Sequence, residues 1–453
     1  MDVIDLDIDV IDERGQGLAN RGSKTYFVSD ALPGERVTAT IERDKGTHAI
    51  GRVQRILRAS PARVMPRCPH FGVCGGCLLQ HIEPGVQVAL KQRALEKTFA
   101  RVAGLRPARM LSPIHGPDWN YRFRARLAVR YVPTRGGVLL GFHERNSSYV
   151  ADIQVCLVMP KVVSDLLMPL HDLIARLSIP HRIPHIQVAV GDDFKVALVL
   201  RHLLPLTETD IRQLNEFSAE FDVQWWLQPG GQETAAALLE APAGQGISPA
   251  AGRESRAADA ALTYLLPEFG LQMRFRPTDF IQANLSANRA LVSRAVSLLQ
   301  PMPNDRVLDL FCGLGNFTLP VATLAREVVG VEASEALLDK ARQIAADHGL
   351  ASRVRLQCAD LFRIDSGWLE KQGEFDLMVL DPPREGARAV VEAMATRGRR
   401  YGPRRIVYVS CNPATLARDA AILVHKGKYR LTSSVIVNMF PHTLHVESIS
   451  VFE

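Results

Sequence analysis

No apolar run in this chain approaches the ~20 residues that a membrane-spanning helix requires. The amino terminus, MDVIDLDIDVIDE, lacks the basic start of a secretory signal and the acid-poor character of a transit peptide. A cytoplasmic location is therefore expected. Cysteine is scarce, with seven in 453 residues, and in a reducing compartment these are not expected to form disulfides. No internal repeat is visible, which argues against a solenoid. What is present is ample apolar material, 47% of the chain, enough for sizeable cores in two or three domains. The formal charge of +6 admits an anionic partner without requiring one.

The charge is unevenly spread. Residues 101–150 hold nine arginines against only Asp118 and Glu144, a local net of +7. Within them Tyr121-Arg122-Phe123-Arg124-Ala125-Arg126 alternates, and as a strand it would put its arginines on one face. A second cluster comprises Arg397, Arg399, Arg400, Arg404 and Arg405. Patches of this kind suit a phosphate backbone, though solvated faces look the same in a sequence.

Residues 1–60 alternate apolar and polar between turn signals such as Leu32-Pro33-Gly34-Glu35, which predicts a small antiparallel β-barrel. A cysteine-rich loop (61–80), a helix (86–103) and a mixed α+β region to about 240 follow. Ala241 to Ala257 is rich in Ala, Gly, Ser and Pro and reads as a loop or hairpin insertion. From about 266, strands alternate with helices: Val307–Phe311, Val328–Val331, Val354–Gln357, Leu377–Leu380 and Ile406–Val409, with a final strand over His445 to Phe452. This predicts an α/β, mostly parallel, doubly wound sheet. The expected domains are thus 1–60, 61–265 and 266–453.

Four motifs carry chemistry. The strand Val307–Phe311 runs into Cys312-Gly313-Leu314-Gly315-Asn316, a turn whose glycines let a ligand approach the backbone. Thr318 stands where a dinucleotide fingerprint has its third glycine. Glu332 ends the next strand and can accept from ribose hydroxyls. With Asp309 and the Asp360 turn it points to an adenosine-type cofactor. Asp381-Pro382-Pro383-Arg384 ends the fourth strand on a rigid turn at the ligand-binding edge. Cys411 follows the fifth strand, and Pro413 then opens a helix. A thiol beside a helix amino terminus should favour the thiolate, the form a nucleophile needs. Glu447 lies in the final strand, which can neighbour the fifth, so thiolate and carboxylate could serve covalent catalysis and proton removal. Finally, Cys68-x5-Cys74-x2-Cys77 with distant Cys156 offers four soft ligands for a tetrahedral Zn²⁺ or a [4Fe–4S] cluster. The spacing favours iron–sulfur.

Together these segments resemble the RNA uracil-5-methyltransferases that use S-adenosylmethionine. The resemblance covers nearly the whole chain: GQGLA…FVSDALPGE, CPHFGVCGGCLLQH, RPTDFIQAN, DLFCGLGNFTLP, GVEAS, LDPPREGA, VSCNPATLARD and FPHTLHVES occur in the family's order. It implies an OB-like TRAM barrel that binds RNA, a central α+β iron–sulfur domain and a Rossmann-like catalytic sheet. It implies Cys411 as nucleophile and Glu447 as base. Gln282, Phe311, Asn316, Glu332, Asp360 and Asp381 would bind S-adenosylmethionine, and Cys68, Cys74, Cys77 and Cys156 would ligate [4Fe–4S]. The barrel and the four cysteines together are most similar to the bacterial 23S rRNA branch, with a 1939-type uridine as target. That uridine would lie in a loop or be flipped out, and the enzyme would act as a monomer. A tRNA uracil-5-methyltransferase is the runner-up, although its bacterial members typically lack the four cysteines. A radical methylthiotransferase would carry a Cys-x3-Cys-x2-Cys loop, and a purely RNA-binding protein would not need Cys411 with Glu447.

Overall fold

Period-two patterning in the first 58 residues yields six strands in the order Val3–Asp7, Arg36–Asp44, His48–Arg58, Lys24–Ser29, Gly17–Arg21, Val10–Ile11. The two edge strands of this sheet, Val3–Asp7 and Val10–Ile11, are separated by only two residues in the chain, so the sheet must curl until its edges adjoin. In the two-residue link, Ile8 N–H donates to Glu35 O at 2.9 Å on one side and Asp9 N–H to Leu18 O at 2.8 Å on the other, which joins the two edges. Leu6, Ile8, Val28 and Val37 fill the small interior. This is a computed structural model that describes residues 2–12, 14–238 and 261–453. The expected insertion Ala241 to Ala257 lies outside the described residues.

A second, six-stranded sheet runs Ala236–Ala237, Val223–Gln228, Val196–Arg201, His185–Val190, Arg124–Val132, Gly137–Gly141. Alternate residues of its strands feed two cores. Leu198 and Leu200 pack with the helices Leu167–Arg176 and Glu208–Phe221, while Ala197 and Val199 pack against the hairpin Leu262–Leu266/Leu271–Phe275. Of the alternating arginines, Arg124 and Arg126 share one strand, with Arg126 exposed between buried Ala125 and Leu127 and Arg124 only half-buried. Arg122, however, precedes the strand and turns toward the cleft described below.

The carboxyl-terminal sheet positions the site. Its strands are β1 (Arg306–Leu310), β2 (Glu327–Glu332), β3 (Val354–Cys358), β4 (Leu377–Leu380), β5 (Arg405–Ser410), β6 (Leu431–Val437) and β7 (Glu447–Phe452). They are ordered β3-β2-β1-β4-β5-β7-β6, and the two-residue strand Arg109–Met110 from the central region adds beside β6. β1 to β5 are parallel; β7 is antiparallel to both neighbours. Both faces are covered: Val407 and Val409 enter one core, Ile406 and Tyr408 the other. This is why these strands read as continuous apolar runs.

The helix expected at 86–103 is an α-helix over Pro84–Thr98 that continues as a π-turn to Ala103. Its Lys91 is buried and donates to Asn438 Oδ1 (2.9 Å) and Phe440 O (2.8 Å). Gln87 accepts from His442 N–H at 2.8 Å, so the helix fastens the segment that leads into β7.

Candidate active site

β1 delivers the glycine turn. Phe311 sits at φ +66°, a left-handed conformation that costs a non-glycine residue ~1–2 kcal/mol. It is held by Phe311 N–H and Cys312 N–H donating to Val331 O at 2.9 and 3.1 Å. Gly313 and Gly315 also take positive φ. Glu332, at the end of β2, accepts from the N–H groups of Gly313 (3.2 Å), Ala333 (2.8 Å) and Ser334 (3.1 Å), which fixes its carboxylate at the cleft. Asn316 is locked by Tyr264 Oη and by a reciprocal amide pair with Asn288, each at 3.0 Å.

Thr318 explains its own departure from the dinucleotide pattern: its hydroxyl donates to Asp309 Oδ2 at 2.5 Å beneath the turn. Asp309 is fully buried and its Oδ1 has no protein partner among the described residues. Burial, reinforced by the charges of Asp381 and Glu332, pushes its carboxyl up to about 7.

At the other end of the cleft, β5 ends at Ser410 and Cys411 follows. Asn412 caps the next helix by accepting from Ala414 N–H at 3.0 Å, a contact type worth ~1 kcal/mol. Asn412 Nδ2 and Thr415 Oγ1 donate to Arg384 O at 3.0 and 3.1 Å, so the Pro382-Pro383 turn and the Cys411 turn are one unit. Because β7 runs antiparallel to β5 with Ser410 opposite Ser448, the residue after β5 and the first residue of β7 meet at the same sheet edge. These residues are Cys411 and Glu447.

Cys411 is half-buried, neither sealed under side chains nor free in solvent. Its thiol is pushed up to about 11, by burial first and then by Glu447 and Asp381; Arg384 pulls the other way. The expected thiolate preference is thus overturned, because burial and two adjacent carboxyls outweigh the helix end. Asp381 is pushed up to about 7 by burial. Glu447, 3% exposed, is raised well above the carboxylate range by burial and by Asp381.

A single cleft of about 980 Å³ joins these groups. Gln282, Phe311, Asn316, Glu332, Asp381, Cys411 and Glu447 all line it. Asp360 does not: its carboxylate accepts from Phe362 N–H at 3.0 Å, pairs with Arg363, and faces a shallow depression outside, while Ala359, Leu361 and Phe362 take the cleft wall. Sequence reasoning missed Arg122, Tyr264 and His445 at the cleft. His445 lay inside the quoted FPHTLHVES segment, and its Nδ1 meets Arg384 Nη2 at 3.3 Å. Tyr264 had no sequence signal.

Cys68, Cys74, Cys77 and Cys156 come together from the loop and the distant segment to line one small, separate pocket. Gly76, Arg122 and Phe142 line both this pocket and the cleft. Gly76 N–H donates to Cys74 Sγ at 3.4 Å. Burial pushes the thiols of Cys77 and Cys156 up to about 12 and about 11. Four converging thiols fit a thiophilic metal centre by donor type. Among the described residues, no three His, Cys, Asp or Glu side chains are arranged to hold one metal ion.

The sheet order, the glycine turn and the Glu332 carboxylate at the cleft are those of an S-adenosylmethionine-dependent methyltransferase, and the comparisons bear this out. A model described as tRNA (Uracil-5-)-methyltransferase matches residues 266–453. A protein of Bordetella parapertussis named 23S rRNA (uracil(1939)-C(5))-methyltransferase RlmD is 57% identical over 99% of this chain and 92% of its own. One of the same name from Ralstonia pickettii is 50% identical over 100% of this chain and 98% of its own. The crystal structure of Pyrococcus abyssi tRNA (uracil-54, C5)-methyltransferase with S-adenosyl-L-homocysteine superposes with a TM-score of 0.70 over 99% of this chain and 100% of that one, at 20% identity. That last likeness speaks for the fold alone. The chain belongs to the RNA (uracil-5-)-methyltransferase family, in the branch of the 23S rRNA enzymes.

Proposed function

We propose that this enzyme methylates C5 of a uridine in 23S rRNA, the 1939-type site, through a covalent bond between Cys411 and C6 of the ring. The observation that carries this reading is the meeting of Cys411 and Glu447 at one edge of neighbouring antiparallel strands, in the same cleft as the glycine turn. Bound there, S-adenosylmethionine supplies an electrophilic methyl group on a sulfonium. Glu332 would accept from the ribose hydroxyls and the Phe311 ring would pack on the adenine, while Asp381 and Gln282 face the base.

Uracil C5 is a weak nucleophile. Cys411 attacks C6 as the thiolate, and the electrons of the C5=C6 bond move toward C5 and the C4 carbonyl as an enolate. C5 would then take the methyl group as the sulfonium S–CH3 bond breaks, leaving a neutral thioether. Glu447 removes the remaining C5 proton, the double bond re-forms, and Cys411 leaves as thiolate. Proton removal of this kind contributes on the order of 10²–10⁴ in rate. The uracil must leave its stack to reach the cleft, at a few kcal/mol. The curled amino-terminal sheet, read as a TRAM domain over residues 1–60, offsets that cost through RNA contacts.

Cys68, Cys74, Cys77 and Cys156 would hold a [4Fe–4S] cluster. Their convergence on one pocket supports a soft-ligand centre, and the x5-x2 spacing is what favours iron–sulfur over zinc. The cluster would pin the wall it shares with the cleft.

Cys411→Ala should reduce methyl transfer by about 10⁴-fold or more while RNA still binds. The assay is labelled methyl incorporation into 23S rRNA and tRNA transcripts, with the modified base identified by mass spectrometry. Label found only in tRNA would move the substrate to the runner-up. Full activity of the variant would end the covalent reading.

A further inference from the structure

One of the nine arginines counted in the basic central segment is committed inside the molecule rather than to a ligand. Arg145 donates through Nη1 to Asp30 Oδ1 at 2.7 Å and through Nη2 to Cys77 O at 3.2 Å. Its guanidinium lies 4.3 Å from the ring centroid of Phe71, and its side chain is 14% exposed. These partners come from two different parts of the chain: Asp30 from the curled amino-terminal sheet, Phe71 and Cys77 from the thiol loop.

Arg145 is itself fixed to that loop by backbone. Arg145 N–H donates to Val73 O at 3.0 Å, and Gly75 N–H donates to His143 O at 2.9 Å. The same turn, His143 to Asn146, lines the cleft. On the sheet side, Asp30 takes φ +63°, and its carbonyl accepts from Arg63 Nη2 at 2.6 Å. Arg63 also holds the buried carboxylate of Glu35 in a two-point bond at 2.5 and 2.8 Å. Arg63 thus clamps the chain where it leaves the sheet, and Leu32 of that sheet packs with Leu79 and Ile82 on the same side. Arg145 is distant in sequence and closes the second side.

We propose that Arg145 and Asp30 are positioning residues that set the amino-terminal sheet in register with the cleft wall, so that one RNA is held by both at once. This rests on reading that sheet as the RNA-binding domain. A sheet held on both sides presents its contacts at high effective concentration; one held on the Arg63 and Leu32 side alone does so less well. The effect belongs to RNAs long enough to reach both surfaces. A short hairpin that fills only the cleft should not sense it.

The test compares a 23S rRNA domain transcript with a minimal hairpin carrying the same target uridine. Asp30→Gly removes the carboxylate while keeping the left-handed backbone at ease. It should raise KM for the long RNA about tenfold, toward the hairpin value, with kcat unchanged and both hairpin constants unchanged. Asp30→Asn, which keeps the acceptor oxygen, should fall between. Adding Arg145→Ala to Asp30→Gly should cost the long RNA no further affinity, the signature of a coupled pair. Fluorescence anisotropy with the same two RNAs reads the loss independently of turnover, so an inactive wild type would count against the methyltransferase reading without sparing this one. An unchanged affinity of Asp30→Gly for the long RNA would overturn the proposal. So would an equal loss on both RNAs, which would mark the carboxylate as merely structural.

Discussion

Cys411, Glu447 and Asp381 share a proton problem. All three are raised, and burial is the first cause for each. The proposed route uses Cys411 as thiolate and Glu447 as carboxylate, and both of those forms appear as protons leave. Methyl transfer should therefore climb as pH rises from 6 to 9, by up to about tenfold per unit for each proton lost, and should fall on acidification. A kcat/KM profile measures this; a flat profile over that range would contradict it. Glu447→Gln keeps shape and removes the acceptor. It should lower turnover by about 10²–10⁴-fold and leave a protein–RNA adduct that survives a denaturing gel. Cys411 was legible because strand, thiol and Pro413 are consecutive in sequence. Glu447 was legible only through the expected adjacency of two strands. Asp309's orphaned oxygen, and the Tyr264 and Asn288 grip on Asn316, were not, because packing between distant segments creates them.

At the scale of elements, the thiol loop depends on a close backbone approach. A Cβ on Gly75 would stand 2.8 Å from His143 O, where no real side chain sits. Gly75→Ala should push the loop off the Phe142–Arg145 turn, destabilise the fold by about 1–3 kcal/mol, and scatter the four thiols. Iron and acid-labile sulfide per chain, assayed after anaerobic purification, should fall by more than half against the native protein. Stoichiometric zinc in the native protein would instead refute the cluster. Strands β1 to β5 were readable as apolar runs because both their faces are covered, and the ends moved by a residue or two: β1 is Arg306–Leu310, with Phe311 in the turn. Arg109–Met110 was not readable. Two residues carry no period, and only the exposed edge of β6 makes them a strand.

For the whole molecule, the two expected arginine patches divide. The 397–405 group is largely spent internally. Arg404 pairs with Asp305 at 2.7 Å, Arg405 with Glu453 at 2.6 Å, and Arg399 donates to the carbonyls of Pro403 and Arg404. A count of charges cannot see such partners. In the amino-terminal sheet, Arg36, Arg43, Arg52 and Arg55 are exposed, with at most a loose 3.5 Å pairing from Arg52 to Glu42. RNA affinity should therefore be salt-sensitive, with a log–log slope of about −3 to −6. It should be little altered by Arg404→Gln, whose cost would appear in thermal stability. Filter binding across a salt series measures the first, and thermal denaturation the second.

The pairing of β5 with β7 has one more outcome. Cys411 and Glu447 stand on adjoining rungs of one ladder, so their separation is set by main-chain pairing between two core strands. On the proposed route the pair is already assembled before RNA arrives, so the cost of swinging the uridine out of its stack falls on the polynucleotide.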